Sequence, residues 1–199
     1  MEILEKRSNK TKVRESVIDA AREVFSKYGY NKTTMDDIAH TARRGKTSIY
    51  YYFSSKEEIF RAVIEKEATL LVSELQRAIG KTDDPEEKLR IYVHSRMNTF
   101  RGLSNFYIAL KDELLDHLEF IEEARKSYDK IETGLVTEIL KQGVNKGIFL
   151  IEDIEYTAVT IITALKGLEL PLYVYDIFPD IEDRINALLN IILYGIVKR

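Results

Sequence analysis

Apolar residues recur at helical spacing along almost the whole chain, and that regularity confines it to an all-α architecture. Val17, Ile18, Ala21, Val24, Phe25 and Tyr28 follow the three- and four-residue intervals that line one face of a helix. Only three prolines and nine glycines interrupt 199 residues, and strand-like alternation is nowhere sustained. Helices are expected over Lys12 to Lys27, stopped by Gly29, and over Met35 to Ala42, Lys46 to Phe53 and from the Ser55 cap to Ile79. Others are expected over Glu86 to Arg101, Asn105 to Leu115, Glu119 to Lys146, Ile154 to Leu170 and Ile181 to Val197. No apolar run reaches the roughly 18 residues that span a bilayer, and the charged start, Met1 to Lys12, does not resemble a signal peptide. The absence of cysteine excludes disulfides, thiol catalysis and Cys-zinc sites, so a reducing cytoplasm is the expected home.

The net charge of −3 conceals a division. Residues 1–56 hold 12 Lys and Arg against 7 Asp and Glu, a net +5, whereas residues 57–199 hold 18 against 26, a net −8. A basic module that meets a polyanion is therefore expected ahead of an acidic body with another task. Within the basic module, Thr33 and Thr34 each precede an acid by three residues, the spacing of a capped helix start. Arg43-Arg44-Gly45 makes a turn, and Lys46 to Phe53 a second short helix with Ile49 and Phe53 on one face, which is a helix-turn-helix in outline. Ser55 and Glu58 have capping-box spacing before the next helix.

Phe25 with Gly29-Tyr30, Thr33-Thr34, Ile38-Ala39, Ile49-Tyr50-Tyr51-Tyr52-Phe53 and Ser55-Lys56-Glu57-Glu58-Ile59-Phe60 stand in the order and spacing of a known pattern. Over Arg14 to Val63 the chain resembles the TetR family of bacterial transcriptional regulators. The resemblance implies an N-terminal three-helix DNA-binding domain, residues 1–56, and a C-terminal helical domain, residues 57–199, that binds a ligand and dimerises. The turn departs from the pattern: the family's usual Gly-Val-Ser is Arg43-Arg44-Gly45, Lys-Gly-Thr is Lys46-Thr47-Ser48, and the usual His is Tyr52. Base contacts are therefore not carried over at those places.

A helix enters the major groove end-first, so Arg44, Lys46, Thr47 and Ser48 are candidates for base edges, and the Tyr50 and Tyr51 phenols for phosphates. Arg43 and Arg44 suit either phosphates or bases. Lys56 and Thr33 or Thr34 resemble the family's outer phosphate clamps.

The resemblance also implies a small-molecule pocket among the middle helices, for which Tyr92, Arg96, Met97, Phe100, Phe106, Tyr107, Leu110 and Tyr128 are candidate walls. The stripes Ile154, Ala158, Ile161, Leu165 and Ile185, Leu188, Leu189, Ile192 are broader than one core face needs, so part of this surface is expected to form a homodimer interface. The expected partners are a double-stranded DNA operator, a small-molecule inducer and a second copy, with no membrane, cofactor or metal.

Gly45-Lys46-Thr47 ends like a phosphate-binding loop, but His40 stands where its first glycine is required and no strand precedes it. His94, His117, Asp112, Glu113 and Asp116 are the one His-carboxylate grouping and lack a two-histidine metal spacing. A ligand-responsive repressor is thus the expected reading, set against two rivals: a helical protein-interaction adaptor and an enzyme built on these weaker motifs.

Overall fold

The computed structural model describes residues 2–100, 119–169 and 181–195. Among them are eight helices and no strand: α1 (Glu2–Lys32), α2 (Met35–Thr41), α3 (Lys46–Tyr52), α4 (Lys56–Ile79), α5 (Pro85–Phe100), α6 (Glu119–Asn145), α7 (Ile154–Glu169) and α8 (Ile181–Tyr194). The helix expected over Asn105 to Leu115 lies outside the described residues. Two compact units divide them, one formed by 2–68 and 119–124, the other by 69–100, 125–169 and 181–195.

In the first unit α1 begins earlier than the sequence pattern suggests and breaks at Gly29, whose φ of 76° and ψ of 166° suit a residue without Cβ. The Gly29 carbonyl then accepts hydrogen bonds from the Thr33 backbone N–H at 3.3 Å and the Thr33 hydroxyl at 2.7 Å. This reversal returns Tyr30 onto Phe60, with ring centroids 4.8 Å apart, while Phe25 meets Phe60 edge-on at 4.9 Å. Tyr28, counted in the expected stripe, is half exposed, because the break at Gly29 gives its place on the core to Tyr30. Val17, Ile18, Val24, Ile38, Ile49, Phe53, Ile59 and Val63 complete this core. Ion pairs fasten α4 to α1: Arg22 Nε lies 2.8 Å from the fully buried Glu67, and Lys66 Nζ reaches Glu15 at 2.9 Å and Asp19 at 2.8 Å.

The second unit is a helical bundle whose core takes Leu71, Leu75, Leu89, Val93, Met97, Val136, Ile139, Leu140, Ile162 and the inner stripes of α7 and α8. The residues expected at a homodimer interface divide by burial. Ala158, Ile161, Leu165, Ile185 and Leu189 are buried within the chain itself, and Ile154, Leu188 and Ile192 are half-buried. The most regular stripe of each helix serves its own bundle, since that burial is available without a partner. Among the described residues, the large apolar side chains exposed on these helices are Tyr156, Val159, Ile191 and Tyr194.

Helix ends explain the remaining boundary shifts. α8 stops three residues earlier than expected, at Gly195 (φ 70°), whose N–H donates to the Ile191 carbonyl at 2.9 Å. α6 ends with Gly147 at φ 68°; Gly147 N–H donates to Val144 O at 3.0 Å and Ile148 N–H to Gly143 O at 2.9 Å, which satisfies otherwise orphaned carbonyls. Phe149 folds back onto Gly143 so closely that a Cβ there would lie 2.0 Å from its ring. Gly143→Ala is therefore expected to destabilise the fold by about 1–3 kcal/mol through overpacking, read as a lower midpoint in urea denaturation.

Candidate nucleic-acid interface

Local chemistry sets the first short helix. Thr34 caps α2: its hydroxyl accepts the Asp37 N–H at 3.2 Å, and the Asp37 carboxylate accepts the Thr34 N–H at 2.9 Å. α2 buries Ile38 and Ala39, and α3 buries Ile49 and ends on buried Phe53. The two helices are thus anchored from one side. Between them Arg43 adopts φ 53°, with its N–H donating to His40 O at 3.0 Å and the Arg44 N–H to Ala39 O at 2.9 Å. A side chain in this left-handed conformation costs roughly 1–2 kcal/mol, which is why glycine usually stands there. Gly45, the residue before α3, supplies no side-chain cap.

Arg43, Arg44, Lys46 and Thr47 are exposed, as are Tyr51 and about half of Tyr50, while Ser48 is half-buried. Lys46 is not idle: its ammonium lies 2.8 Å from Asp36 on α2, and that pairing raises its pKa. Asp36 escaped the sequence reading because the ten-residue separation crosses a turn and follows no helical register. The Lys10 ammonium lies 5.0 Å from the Tyr51 ring centroid, a second basic group that the motif alone did not point to.

The candidate phosphate clamps divide. Thr33 is buried with its hydroxyl donating to the Gly29 carbonyl, so capping falls to Thr34. Lys56 donates to the Tyr30 carbonyl at 2.8 Å and sits 4.3 Å over the Tyr30 ring, where burial lowers its pKa. A phosphate would have to draw it out of that contact. The start of α4 is capped as the spacing suggested, but with a shift: Ser55 Oγ accepts the Glu58 N–H at 3.1 Å, whereas the Glu58 carboxylate reaches the Ser54 N–H at 2.6 Å.

Both capping acids respond to pH. The Thr34 hydroxyl and then its N–H hold Asp37 below its ordinary value of 3.8, as the Ser54 N–H and hydroxyl hold Glu58 below 4.5. A depressed folded value means that the cap stabilises above the ordinary value and is lost as pH falls through the folded one. Asp37→Asn is expected to lower the melting temperature at neutral pH, with the difference from wild type shrinking as pH falls below about 3.8 and vanishing only below the lower folded value. A melting series over pH reads this directly.

In the second unit, the sequence-derived ligand candidates converge on a residue that was not among them. Glu132 and Arg96 are both fully buried and paired, with Arg96 Nη2 3.3 Å from Oε2 and Nε bonded to Oε1. The Tyr92 and Tyr128 hydroxyls donate to Oε1 at 2.8 Å and 3.0 Å. Burial, and then the charge of Glu132, pushes the Tyr92 phenol far above its usual range and keeps it a donor. Met97 is buried beside Arg96. The spacing signal was present as Tyr92-Arg96 and Tyr128-Glu132, each four residues apart on one helix, but nothing local joins the two pairs. Phe100 ends α5, and Phe106, Tyr107 and Leu110 lie outside the described residues. So do Asp112, Glu113, Asp116 and His117; His94 pairs with Glu182 at 3.3 Å. Among the described residues no group of three or more His, Cys, Asp or Glu could hold a metal ion, and no helix is long and apolar enough to cross a membrane.

An anchored helix pair presenting a cationic edge, ahead of a separate helical unit, is the arrangement of a helix-turn-helix DNA-binding regulator. Residues 17–63 match the family model described as bacterial regulatory proteins, tetR family. The fatty acid metabolism regulator protein of Bacillus subtilis (strain 168) is 28% identical over 131 residues, 64% of this chain and 68% of its own length. The transcriptional regulator FadR from Bacillus subtilis, solved in complex with stearoyl-CoA, superposes with a TM-score of 0.72 at 25% identity over 92% of this chain and 99% of that one. The fatty acid degradation regulator FadR from Bacillus halodurans shares the fold, with a TM-score of 0.77 at 23% identity over 94% and 97%. Family model and structure together match this chain to the TetR family of transcriptional regulators, and the homology supports a ligand-responsive, DNA-binding regulator.

Proposed function

We propose that the chain represses transcription as a homodimer on a pseudo-palindromic operator and leaves it when a small-molecule inducer binds. The head is residues 1–56 and the body residues 57–199. One observation carries the reading: α3 commits Ile49, with Phe53 at its end, to the core and exposes Lys46, Thr47 and Tyr51 beside Arg44. Such an edge suits base edges and flanking phosphates, and two copies would enter successive major grooves. Tyr156, Val159 and Ile191, exposed on α7 and α8, are the apolar surface available to join the copies.

For the inducer, the stearoyl-CoA bound to the Bacillus subtilis relative supports a long-chain acyl thioester as the class to try first. An inducer that empties a nearly full operator must prefer the non-binding state by about 5.5 kcal/mol. The test is selection of duplexes from random DNA, followed by fluorescence-polarisation titration with and without stearoyl-CoA. Enrichment of a pseudo-palindrome bound about 10³-fold tighter than a scrambled duplex, by two chains, supports the reading. No enrichment returns the basic module to an acidic protein partner. Enrichment without release by stearoyl-CoA removes only the inducer class.

A further inference from the structure

The helix ends of this chain disagree about where glycine belongs. α2 and α6 close with the same pair of backbone hydrogen bonds, and at the left-handed position α6 has Gly147 at φ 68° whereas α2 has Arg43 at φ 53°. Arg43 is the one non-glycine residue with positive φ among the described residues. Two residues later Gly45 stands at φ −69°, which any residue adopts, and a Cβ there would meet nothing within 4 Å. The turn therefore has its arginine where stability asks for glycine and its glycine where stability asks for none. Packing does not explain the arginine, since its side chain is exposed and no described group pairs with it. Lys46 and Lys56 differ in this respect, being held by Asp36 and by the Tyr30 carbonyl, whereas Arg44 is exposed like Arg43 but precedes α3 without a left-handed backbone.

We infer that Arg43 keeps its strained position for DNA, its guanidinium gripping one backbone phosphate at the rim of the groove that α3 enters. The inference deepens the regulator reading and rests on it. A phosphate is the partner the geometry favours, because Arg43 closes α2 and precedes the first turn of α3, so it stands beside the groove rather than in it. Phosphate contacts position the protein and carry no base information. Arg43 thus sets affinity on all sequences, with fold stability given up in return.

The test compares wild type, Arg43→Gly and Arg43→Lys by thermal melting and by fluorescence-polarisation titration over a salt series. The probes are the duplex enriched by selection and a scrambled duplex of equal length. Arg43→Gly is expected to melt about 2–4 °C higher and to bind both duplexes about tenfold more weakly, with the salt slope reduced by about one. Arg43→Lys is expected to keep the slope and gain no stability, since it retains both charge and strain. Unchanged affinity of Arg43→Gly, with wild type binding normally, overturns this inference alone. A loss confined to the selected duplex makes Arg43 a base reader and overturns the phosphate assignment. Wild type that binds neither duplex overturns the regulator reading and this inference with it.

Discussion

Glu132→Ala is expected to lower stability by about 3–5 kcal/mol, the largest effect of any single substitution considered for this chain. Glu132 is fully buried and holds three partners: the equally buried Arg96 and the hydroxyls of Tyr92 and Tyr128. Truncation takes a buried carboxylate from the Arg96 guanidinium and the hydrogen-bond acceptor that the Tyr92 and Tyr128 hydroxyls share. A buried group that loses its partner costs more than the bond contributed, because water no longer reaches it. For a chain of this length the loss corresponds to a fall in melting temperature of about 10 °C, measurable by circular dichroism. Arg96→Met with Glu132→Leu should recover the part of the loss that comes from charge, because removing both charges removes the desolvation penalty with the attraction, and leave the part that comes from the two phenols. A change below about 0.5 kcal/mol for Glu132→Ala would show that the pair carries no structural weight.

Arg44→Ala combined with Lys46→Ala is expected to weaken binding to the selected duplex by about 2–4 kcal/mol, a loss of roughly 30- to 1000-fold. Both side chains are exposed, and neither packs in the core of the first unit, so stability should stay within about 0.5 kcal/mol of wild type. Lys46 must exchange Asp36 for DNA, but an exposed ion pair is worth only about 0–1 kcal/mol and offers little resistance. The scrambled duplex separates two mechanisms. A loss restricted to the selected sequence assigns base reading, and an equal loss on both assigns phosphate contacts, with a shallower salt slope. Unchanged affinity would remove the two residues from the interface.

What could be read from sequence follows the distance over which the deciding forces act. The all-α class, the order of the helices and the starts of α2 and α4 were legible because helix periodicity and capping are decided within about four residues. Thr34 and Asp37 meet wherever that segment folds as a helix, as do Ser55 and Glu58. The choice between Thr33 and Thr34 already lay beyond that range, since the Gly29 reversal buries one hydroxyl and leaves the other to cap. The stripes of α7 and α8 were likewise visible as stripes. How much of each stripe the chain covers by itself was not legible, because an amphipathic pattern says that a face is covered and not by which chain.

By itself, then, the sequence determined a helical chain with a basic helix-turn-helix segment and an acidic body, since these follow from local periodicity, capping and charge count. Only the tertiary structure decided that Glu132 joins Tyr92 and Arg96 across 40 and 36 positions of chain, that Asp36 holds Lys46, and that α7 and α8 spend their regular stripes on their own bundle. The physical reason is common to all three. Burial and ion pairing act between surfaces brought together by folding, and no spacing along the chain encodes which surfaces those will be.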